Sequence, residues 1–252
     1  MLNERKQKIL ELLEKNGEVK VTELSRLFDI SEVTIRNYLA DMENKGLLSR
    51  VHGGAISSYK PYYSMNLNQR LETNQKEKNK IAETVAQMVE PNDTIMLNSG
   101  TTTLLVFRSL PAKYNLNIVT NSISIALEAA DNPNFNVILV GGSVNTKYQF
   151  TYGTDAVQQL KNYHADKLIL SVDGIDAKRG FTTYYDKEAE IDRTMIAQSE
   201  LCIVAADFTK FGRTAFANVS PTDVADFMVT NQSINKDIYN ELLKIGLDIN
   251  LV

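Results

Sequence analysis

The stretch NSGTTT, residues 98 to 103, holds residue types that suit anion binding. It follows the apolar run TIML and precedes the apolar run LLVF, which predicts a turn from a strand into a helix. Gly100 and the threonines Thr101, Thr102 and Thr103 would then lie at a helix N-terminus, where free N–H groups and the helix dipole favour a phosphate. The alternative is that these residues only cap the helix, which Ser and Thr commonly do.

Four other predicted strands also end in small or ionisable residues. They are followed by TNS at 120–122, GGS at 141–143, VDGID at 172–176 and DFTKFG at 207–212. In a parallel sheet these ends share one edge, where ligands bind. They predict a site for a small, anionic ligand, with a phosphate at the 100–103 turn, Lys210 beside it, and Asp173 or Asp176 at sugar hydroxyls. The alternatives are a solvated loop lysine and turn aspartates. No G-x-G-x-x-G or G-x-x-x-x-G-K-[ST] occurs, which disfavours dinucleotide and P-loop sites.

A second set of candidate residues lies near the N-terminus, on the third of three short helical patterns. In SEVTIRNYLADMENKG, Ile35, Leu39 and Met42 recur at i, i+4 and i+7, the spacing of one apolar helix face. At about 100° per residue, Thr34 and Asn37 point away from that face. A polar outer face on the third helix, after a tight turn, is typical of a helix-turn-helix whose recognition helix enters the DNA major groove.

The segment LLSRVHGGAIS predicts a short hairpin, a wing, that turns at Gly53 and Gly54. Arg50 and His52 alternate on it and could reach a phosphate or the minor groove. A three-helix interaction module with a hairpin uses the same core and is the alternative to DNA binding.

These two sets of residues require two kinds of domain. From residue 92 onward short apolar strands alternate with helices, which predicts a mostly parallel sheet covered on both faces. The fold class is therefore α/β, with a small N-terminal winged helix-turn-helix domain over 3–58 (helix-turn-helix about 20–39), a polar linker over 59–78, and an α/β ligand-binding domain over 79–252.

Composition narrows the class of protein. The 252 residues carry a formal charge of −4, and residues 1–56 are neutral, with nine basic and nine acidic side chains. This argues against non-specific binding of polyanions but permits a docked helix with a few placed cations. The single cysteine, Cys202, lies in an apolar run, and neither histidine has zinc-type spacing, so we expect no metal and no cofactor. No apolar run approaches the length of a membrane span, and we expect a cytoplasmic protein without a membrane partner.

The N-terminal motifs resemble those of DeoR-type transcriptional regulators. The shared features are Arg5, VTELSRLFDISEVTIR at 21–36 and LLSRVHGGA at 47–55. The resemblance implies an operator-binding surface comprising Ser31, Thr34, Arg36, Asn37, Tyr38, Arg50 and His52. The chain departs from the family pattern at Asn37-Tyr38, where Arg-Asp is common, which alters the expected sequence preference and leaves DNA binding in place.

Residues 75 to 232 resemble the sensor domain of the same regulators, which is similar in fold to ribose-5-phosphate isomerase. This implies a sugar-phosphate effector bound by Asn98, Ser99, Gly100, Thr101, Thr102, Thr103, Asn121, Asp173, Gly174, Asp176, Thr182, Glu188 and Lys210. Two positions depart from the pattern: Asn98 stands where Asp is usual, and Asp192 where Lys is common.

Two functions from different classes fit these residues. One is a repressor of a sugar or carbohydrate metabolism operon, controlled by a phosphorylated sugar and acting as a dimer or higher homo-oligomer, because paired helix-turn-helix modules bind two half-sites. The other is a sugar-phosphate isomerase with a helical appendage, for which the carboxylates and Lys210 could supply acid-base chemistry. The recognition helix and wing favour the regulator, since an enzyme has no need of them.

Overall fold

The computed structural model describes residues 4–16, 18–44, 47–56 and 65–252. It divides into two compact units, Met1–Asn66 and Leu67–Val252. Of the predicted linker over 59–78, residues 59–64 lie outside the described residues, and 67–78 belong to the second unit. Leu67 and Lys78 lie on the helices Leu67–Glu72 and Gln75–Ala86 and are buried within this unit, which begins at Leu67, whereas 79 was the predicted start of the ligand-binding domain.

The N-terminal unit is a winged helix-turn-helix. Its elements are α1 Glu4–Asn16, β1 Glu18–Lys20, α2 Val21–Phe28, α3 Glu32–Asn44, β2 Ser49–Val51 and β3 Gly54–Ile56. The helix-turn-helix predicted at about 20–39 corresponds to α2 and α3, of which α3 extends to Asn44. The wing is the hairpin of β2 and β3, and β1 adds a third antiparallel strand that was not predicted. Gly54 lies inside β3, where a Cβ would come within 2.1 Å of the Val19 carbonyl oxygen, so only glycine lets β3 approach β1.

One hydrophobic core holds the N-terminal unit together. Its buried residues are Ile9, Leu13, Val19, Val21, Leu24, Ile35, Leu39, Met42, Leu48 and Ala55. Three of these form the apolar face of α3, so the opposite face of that helix points outward.

The second unit is built on a seven-stranded sheet. Its helices are α4 Leu67–Glu72, α5 Gln75–Ala86, α6 Thr101–Ser109, α7 Ile123–Ala129, α8 Thr154–Leu160, α9 Asp186–Ala197 and α10 Lys236–Lys244. Its strands are β4 Thr94–Leu97, β5 Leu116–Thr120, β6 Phe135–Leu139, β7 Ser143–Asn145, β8 Phe150–Tyr152, β9 Ala165–Leu170, β10 Gly174–Asp176, β11 Gly180–Thr183, β12 Ser199–Ala205, β13 Ala217–Ser220, β14 Phe227–Thr230 and β15 Ile249–Leu251.

The large sheet has the order β15-β14-β12-β9-β4-β5-β6, and every pairing in it is parallel. Alternate strand residues enter two separate cores: Leu168 and Leu170 lie in one, and Ile169 lies in the other. Both faces are therefore covered, which confirms the predicted α/β class. Cys202 is buried in β12, as expected.

Two small antiparallel sheets lie outside the predicted pattern. One joins β10, β11 and β13, and the other is the hairpin of β7 and β8. The first follows directly from the carboxyl end of β9, so it adds side chains to the edge where the strand-end motifs meet.

Candidate functional site

The turn between β4 and α6 packs tightly against the end of β9. A Cβ on Gly100 would lie 1.5 Å from Ser171 Oγ, far inside any real contact, so the position requires glycine. Gly100 is also the N-cap of α6, and among the described residues no side chain caps that helix. The capping alternative therefore fails at this turn, and the amides of its first turn suit an external acceptor.

Asn98 organises this turn from the inside. Its Oδ1 accepts hydrogen bonds from Thr103 Oγ1 at 2.8 Å and from the Ser171 amide at 3.1 Å. Its Nδ2 donates to the Ser171 carbonyl at 2.8 Å and to Asp192 Oδ1 at 3.0 Å. With both ends of its amide engaged, Asn98 is 1% exposed and holds β4, α6 and α9 together. Its hydrogen-bonding capacity is used by the protein itself.

The three threonines of α6 have different surroundings. Thr103 is fully buried and its hydroxyl serves Asn98, so a role in binding would fall to its backbone. Thr101 Oγ1 accepts a hydrogen bond from Lys78 Nζ at 3.3 Å. Lys78 is itself fully buried on α5 and also donates to the Arg70 carbonyl at 2.6 Å. The start of α6 thus has a buried cation beside it.

Two carboxyl groups meet at the end of the small sheet. Thr183 Oγ1 lies 2.6 Å from Glu188 Oε2 and 3.2 Å from Asp173 Oδ2. A hydroxyl has one hydrogen to donate, so both contacts are hydrogen bonds only when one carboxyl is protonated. Burial, and then the charge of Asp173, raise the pKa of Glu188, which favours Glu188 as the carboxyl that carries the proton. Ser99 Oγ donates to its other oxygen at 3.2 Å.

A third carboxyl group, Asp192, lies one helical turn beyond Glu188 on α9. It is 1% exposed, and its Oδ2 has no hydrogen-bond partner among the described residues. Burial, and then the neighbouring Glu188, raise the pKa of Asp192 well above its usual value. The Asn98 amide thus donates to a buried carboxyl group whose negative charge is disfavoured.

Two further cations approach Asp173 Oδ1: Lys210 Nζ at 3.9 Å and Arg70 Nη1 at 3.8 Å. The Arg70 guanidinium also stacks over the Tyr148 ring, 4.1 Å from its centroid. Burial alone would raise the pKa of Asp207, but Lys210 and Lys78 outweigh it and hold the pKa below its usual value. The cluster combines three cations with four acidic groups, an arrangement that suits a ligand with both an anionic group and hydroxyls.

Four predicted site residues make contacts within the protein, and their role in effector binding stays a prediction. Asp176 accepts the amides of Lys178 and Arg179 at the β10–β11 turn, which is the turn alternative for this residue. Thr182 accepts the Ala215 amide, and Gly174 packs so closely on Thr182 that a Cβ would meet its Oγ1 at 2.5 Å. Asn121 donates to the Thr151 carbonyl at 3.1 Å, and among the described residues its buried Oδ1 has no partner.

Four residues of the cluster were not among the predicted site residues: Arg70, Lys78, Tyr148 and Asp207. A signal for Lys78 was present: it shares the i, i+3, i+4, i+7 spacing of Ile81, Ala82 and Val85, which form the buried face of α5. The surrounding charged run KEKNK, however, favours an exposed, solvated lysine at this position. Asp207 also had a signal, since it begins the strand-end motif DFTKFG. Arg70 and Tyr148 carry no comparable pattern, because only the tertiary fold brings them to the cluster.

The outward face of α3 is the candidate DNA interface. Ser31 caps the helix by accepting the Thr34 amide at 3.2 Å, and the two hydroxyls lie 2.9 Å apart. Asn37 is exposed, and Arg36 is exposed but paired with Glu32 at 2.6 Å. Both lie away from the buried core, which is the direction that the helical spacing predicted for Asn37.

The remaining candidates for DNA contact differ in accessibility. Arg50 Nε pairs with Glu43 at 2.6 Å, and His52 is exposed at the tip of the wing. Such exposed ion pairs contribute about 1 kcal/mol or less, so a phosphate can replace the acidic partner. Tyr38 is half-buried against the core with Lys6 Nζ 5.2 Å from its ring centroid, so packing occupies much of this side chain.

Metal-binding clusters and membrane-spanning helices are two further features that could bear on function. Within the described ranges, no group of three or more His, Cys, Asp or Glu side chains is arranged to hold a metal ion. In the same part of the chain, no helix is both long and apolar enough to cross a membrane.

Comparison with known proteins gives matches along nearly the whole chain. A DeoR-like helix-turn-helix domain matches residues 5–60, and a DeoR C terminal sensor domain matches residues 73–232. The HTH-type transcriptional regulator GolR of Listeria innocua is 34% identical over 248 residues, which is 98% of each protein. The transcriptional repressor AccR of Agrobacterium fabrum is 32% identical, covering 90% of this chain and 89% of that protein.

Solved structures resemble the chain more distantly. Ribose 5-phosphate isomerase A from Methanocaldococcus jannaschii covers 55% of each chain with 14% identity and a TM-score of 0.42. A likeness at this level carries no inference about this chain.

Proposed function

The chain belongs to the DeoR family of transcriptional regulators, and from this premise we propose that it represses a sugar or carbohydrate metabolism operon under the control of a phosphorylated sugar. It is a DNA-binding regulator and not an enzyme. The isomerase alternative is set aside, since relatives that match the chain over almost its full length are regulators. Its expected place of action is the cytoplasm.

The observation that carries the effector proposal is the start of α6. The helix begins at a glycine, and among the described residues no side chain caps it, while Lys78 donates to the first threonine. Helix amides with a cation beside them bind phosphate oxygens. We therefore assign the phosphate to Ser99, Gly100 and the amides of Thr101–Thr103, with Lys78 and Lys210 as the cations.

The carboxyl cluster is the proposed site for the sugar hydroxyls. Asp173 and Glu188 both contact the hydroxyl of Thr183. With one of the two carboxyl groups protonated, the pair can both accept and donate hydrogen bonds. A carboxylate and a protonated carboxyl side by side suit a polyol, whose hydroxyls are both donors and acceptors.

Arg70 is the proposed connection between effector and DNA binding. It lies on α4, the first helix after the boundary between the two units, and its guanidinium reaches Asp173 in the candidate site. An anionic ligand would compete with Asp173 for this guanidinium and so favour a different position of α4. Unequal binding to two conformations is the requirement for control by an effector.

We further propose that the protein binds operator DNA through α3 and the wing as a dimer or larger homo-oligomer. A recognition helix reads one half-site, and two copies are needed for a symmetric operator. The proposed DNA-binding surface comprises the residues predicted from the sequence: Ser31, Thr34, Arg36, Asn37, Tyr38, Arg50 and His52.

Thermal-shift measurements on the full chain with a panel of sugar phosphates test the effector proposal, because a ligand that binds only the folded state raises its melting temperature. The hit is then added to a complex of the protein with a duplex that it selects from a random pool. We expect release of the duplex, and we expect Lys210→Ala to bind the duplex normally while losing the shift and the release.

Lys161→Ala, which removes an exposed lysine of the same unit, should behave as wild type. A panel that gives no shift with any phosphorylated sugar, or a Lys210→Ala variant with a full response, would contradict the assigned site.

A further inference from the structure

The recognition helix carries an exposed aliphatic side chain at its second position. Val33 is 64% exposed on α3, whereas Ile35, Leu39 and Met42 of the same helix are fully buried or nearly so. Single exposed apolar residues are common on protein surfaces and need no explanation by themselves. What distinguishes Val33 is its place, since the first turns of a recognition helix contact base edges in the major groove.

Val33 lies one helical turn before Asn37, on the same outward face. At about 100° per residue, the two are separated by roughly 40° around the axis, and both lie opposite the direction of Ile35 and Leu39. The side chains of Val33 and Asn37 therefore face the same binding partner when α3 docks.

The polar neighbours of Val33 are already engaged within the helix. Ser31 and Thr34 share a capping contact, and Glu32 pairs with Arg36 at 2.6 Å. Asn37 has no hydrogen-bond partner among the described residues. On the outward face at the start of α3, the described side chains without an intrahelical partner are thus the Asn37 amide and the branched aliphatic group of Val33.

The chemistry of this pair matches an A·T base pair and its neighbours. Asn can bond adenine bidentately, and an aliphatic side chain in the major groove contacts the thymine 5-methyl group. Four residues of helix advance about 6 Å, against about 3.4 Å for one base-pair step. Val33 and Asn37 can therefore reach pairs that lie one or two steps apart.

We propose that Val33 is a specificity-determining residue that reads the 5-methyl group of a thymine, one or two steps from an adenine bound by Asn37. This rests on the proposed operator binding. The start of α3 would then prefer two A·T pairs that lie one or two steps apart. Asn37-Tyr38 would make different contacts from the Arg-Asp pair that is usual in the family.

The test uses the full chain and a duplex that it selects from a random pool, labelled for fluorescence anisotropy at one fixed salt concentration. Each thymine of the bound half-site is replaced in turn by uracil, which removes only the methyl group and leaves pairing with adenine unchanged. We expect one thymine whose replacement weakens wild-type binding about threefold to fivefold, the effect of losing one buried methyl contact. Val33→Ala should bind the original duplex about threefold to tenfold more weakly and be insensitive to that same replacement.

Leu27→Ala is the matched control, because Leu27 is 58% exposed on α2 of the same unit. It should keep the full uracil sensitivity. If no thymine is sensitive, or if Val33→Ala retains the sensitivity, the assignment of Val33 is overturned while DNA binding stands. If the protein selects no duplex at all, the proposed operator binding fails, and the role of Val33 fails with it.

Discussion

Asn98 and Asp192 are the two residues of the sensor unit that depart from the family pattern noted in the sequence, and they contact each other. The amide of Asn98 donates to Asp192, while its oxygen accepts from Thr103 and Ser171. A carboxylate at position 98 could not donate to Asp192 and would add a second negative charge beside it. This chain therefore has an amide-to-carboxyl hydrogen bond between Asn98 and Asp192, where the family resemblance leads us to expect an ion pair between Asp and Lys.

The pKa of Asp192 gives a prediction for stability against pH. Burial, followed by Glu188, raises the pKa, so its contribution is most favourable at low pH and is lost as the pH rises through the folded-state pKa. Asp192→Asn keeps an acceptor for Asn98 and removes the titration. We expect the variant to melt at a higher temperature than wild type at pH 8, with the difference shrinking towards pH 5.

Melting curves of both proteins between pH 5 and pH 8 measure this, with Asp131→Asn, an exposed carboxyl removed from the same unit, as the control. A difference that is equal at every pH would show that Asp192 is charged throughout.

At the scale of elements, the helices α4 and α5 contribute charged side chains to the candidate site, although their sequence resembles a solvated segment. The stretch from 67 to 80 is polar and highly charged, yet Leu67 and Lys78 are buried and Arg70 reaches Asp173. A helix can place a long charged side chain against a cluster of carboxylates while its apolar face remains in the core. The first two helices of the second unit are therefore also part of the candidate site.

Arg70→Met tests the coupling role of α4. The methionine keeps the apolar length of the side chain but cannot pair with Asp173 or with a phosphate. We expect operator binding close to that of wild type, and an effector response that falls from a 5- to 150-fold change in DNA affinity, the usual range for such coupling, to about twofold or less.

Anisotropy titrations with and without the sugar phosphate found in the panel measure this ratio. Arg108→Met, at an exposed arginine that pairs with Glu128, is the control and should retain the full response. Loss of operator binding itself in Arg70→Met would indicate a role in DNA binding and not in coupling.

At the scale of the whole molecule, the distribution of charge fits a regulator that uses few placed contacts. The net charge is −4 while residues 1–56 are neutral, so attraction to DNA comes from particular side chains and not from an overall basic surface. Binding by a single helix-turn-helix with so few cations would be weak. Two copies on one operator would supply the missing affinity.

The spacing of operator half-sites tests that assembly. Recognition helices of a dimer lie about one DNA turn apart, so insertion of 5 base pairs between the half-sites of the selected duplex places them on opposite faces of the DNA. We expect the insertion to weaken binding at least tenfold. Equal affinity for both duplexes, together with a monomeric mass in sedimentation, would contradict the proposed oligomer.

The sequence by itself determined the architecture of both units. All seven strands of the parallel sheet and both helices of the helix-turn-helix are visible as apolar runs and periodic stripes, because burial of one face or both leaves a local pattern. The turn at Gly100 was equally visible, because NSGTTT separates two apolar runs, but the contact with Ser171 that requires the glycine is seen only in the fold. Asn98 and Lys210 could be placed at one sheet edge because strand ends meet there, whereas Glu188 was predicted only from the resemblance to the family.

Only the tertiary structure decided which polar residues belong to the cluster. Asp173 and Asp176 are indistinguishable in VDGID, yet one faces Lys210 and Thr183 and the other ties a turn. Arg70 and Lys78 lie in a charged stretch that looks solvated, and their role depends on contacts with residues more than twenty positions away in the chain. Local periodicity encodes which face of an element is buried, whereas the pairing of buried charges depends on elements that the chain brings together only when it folds.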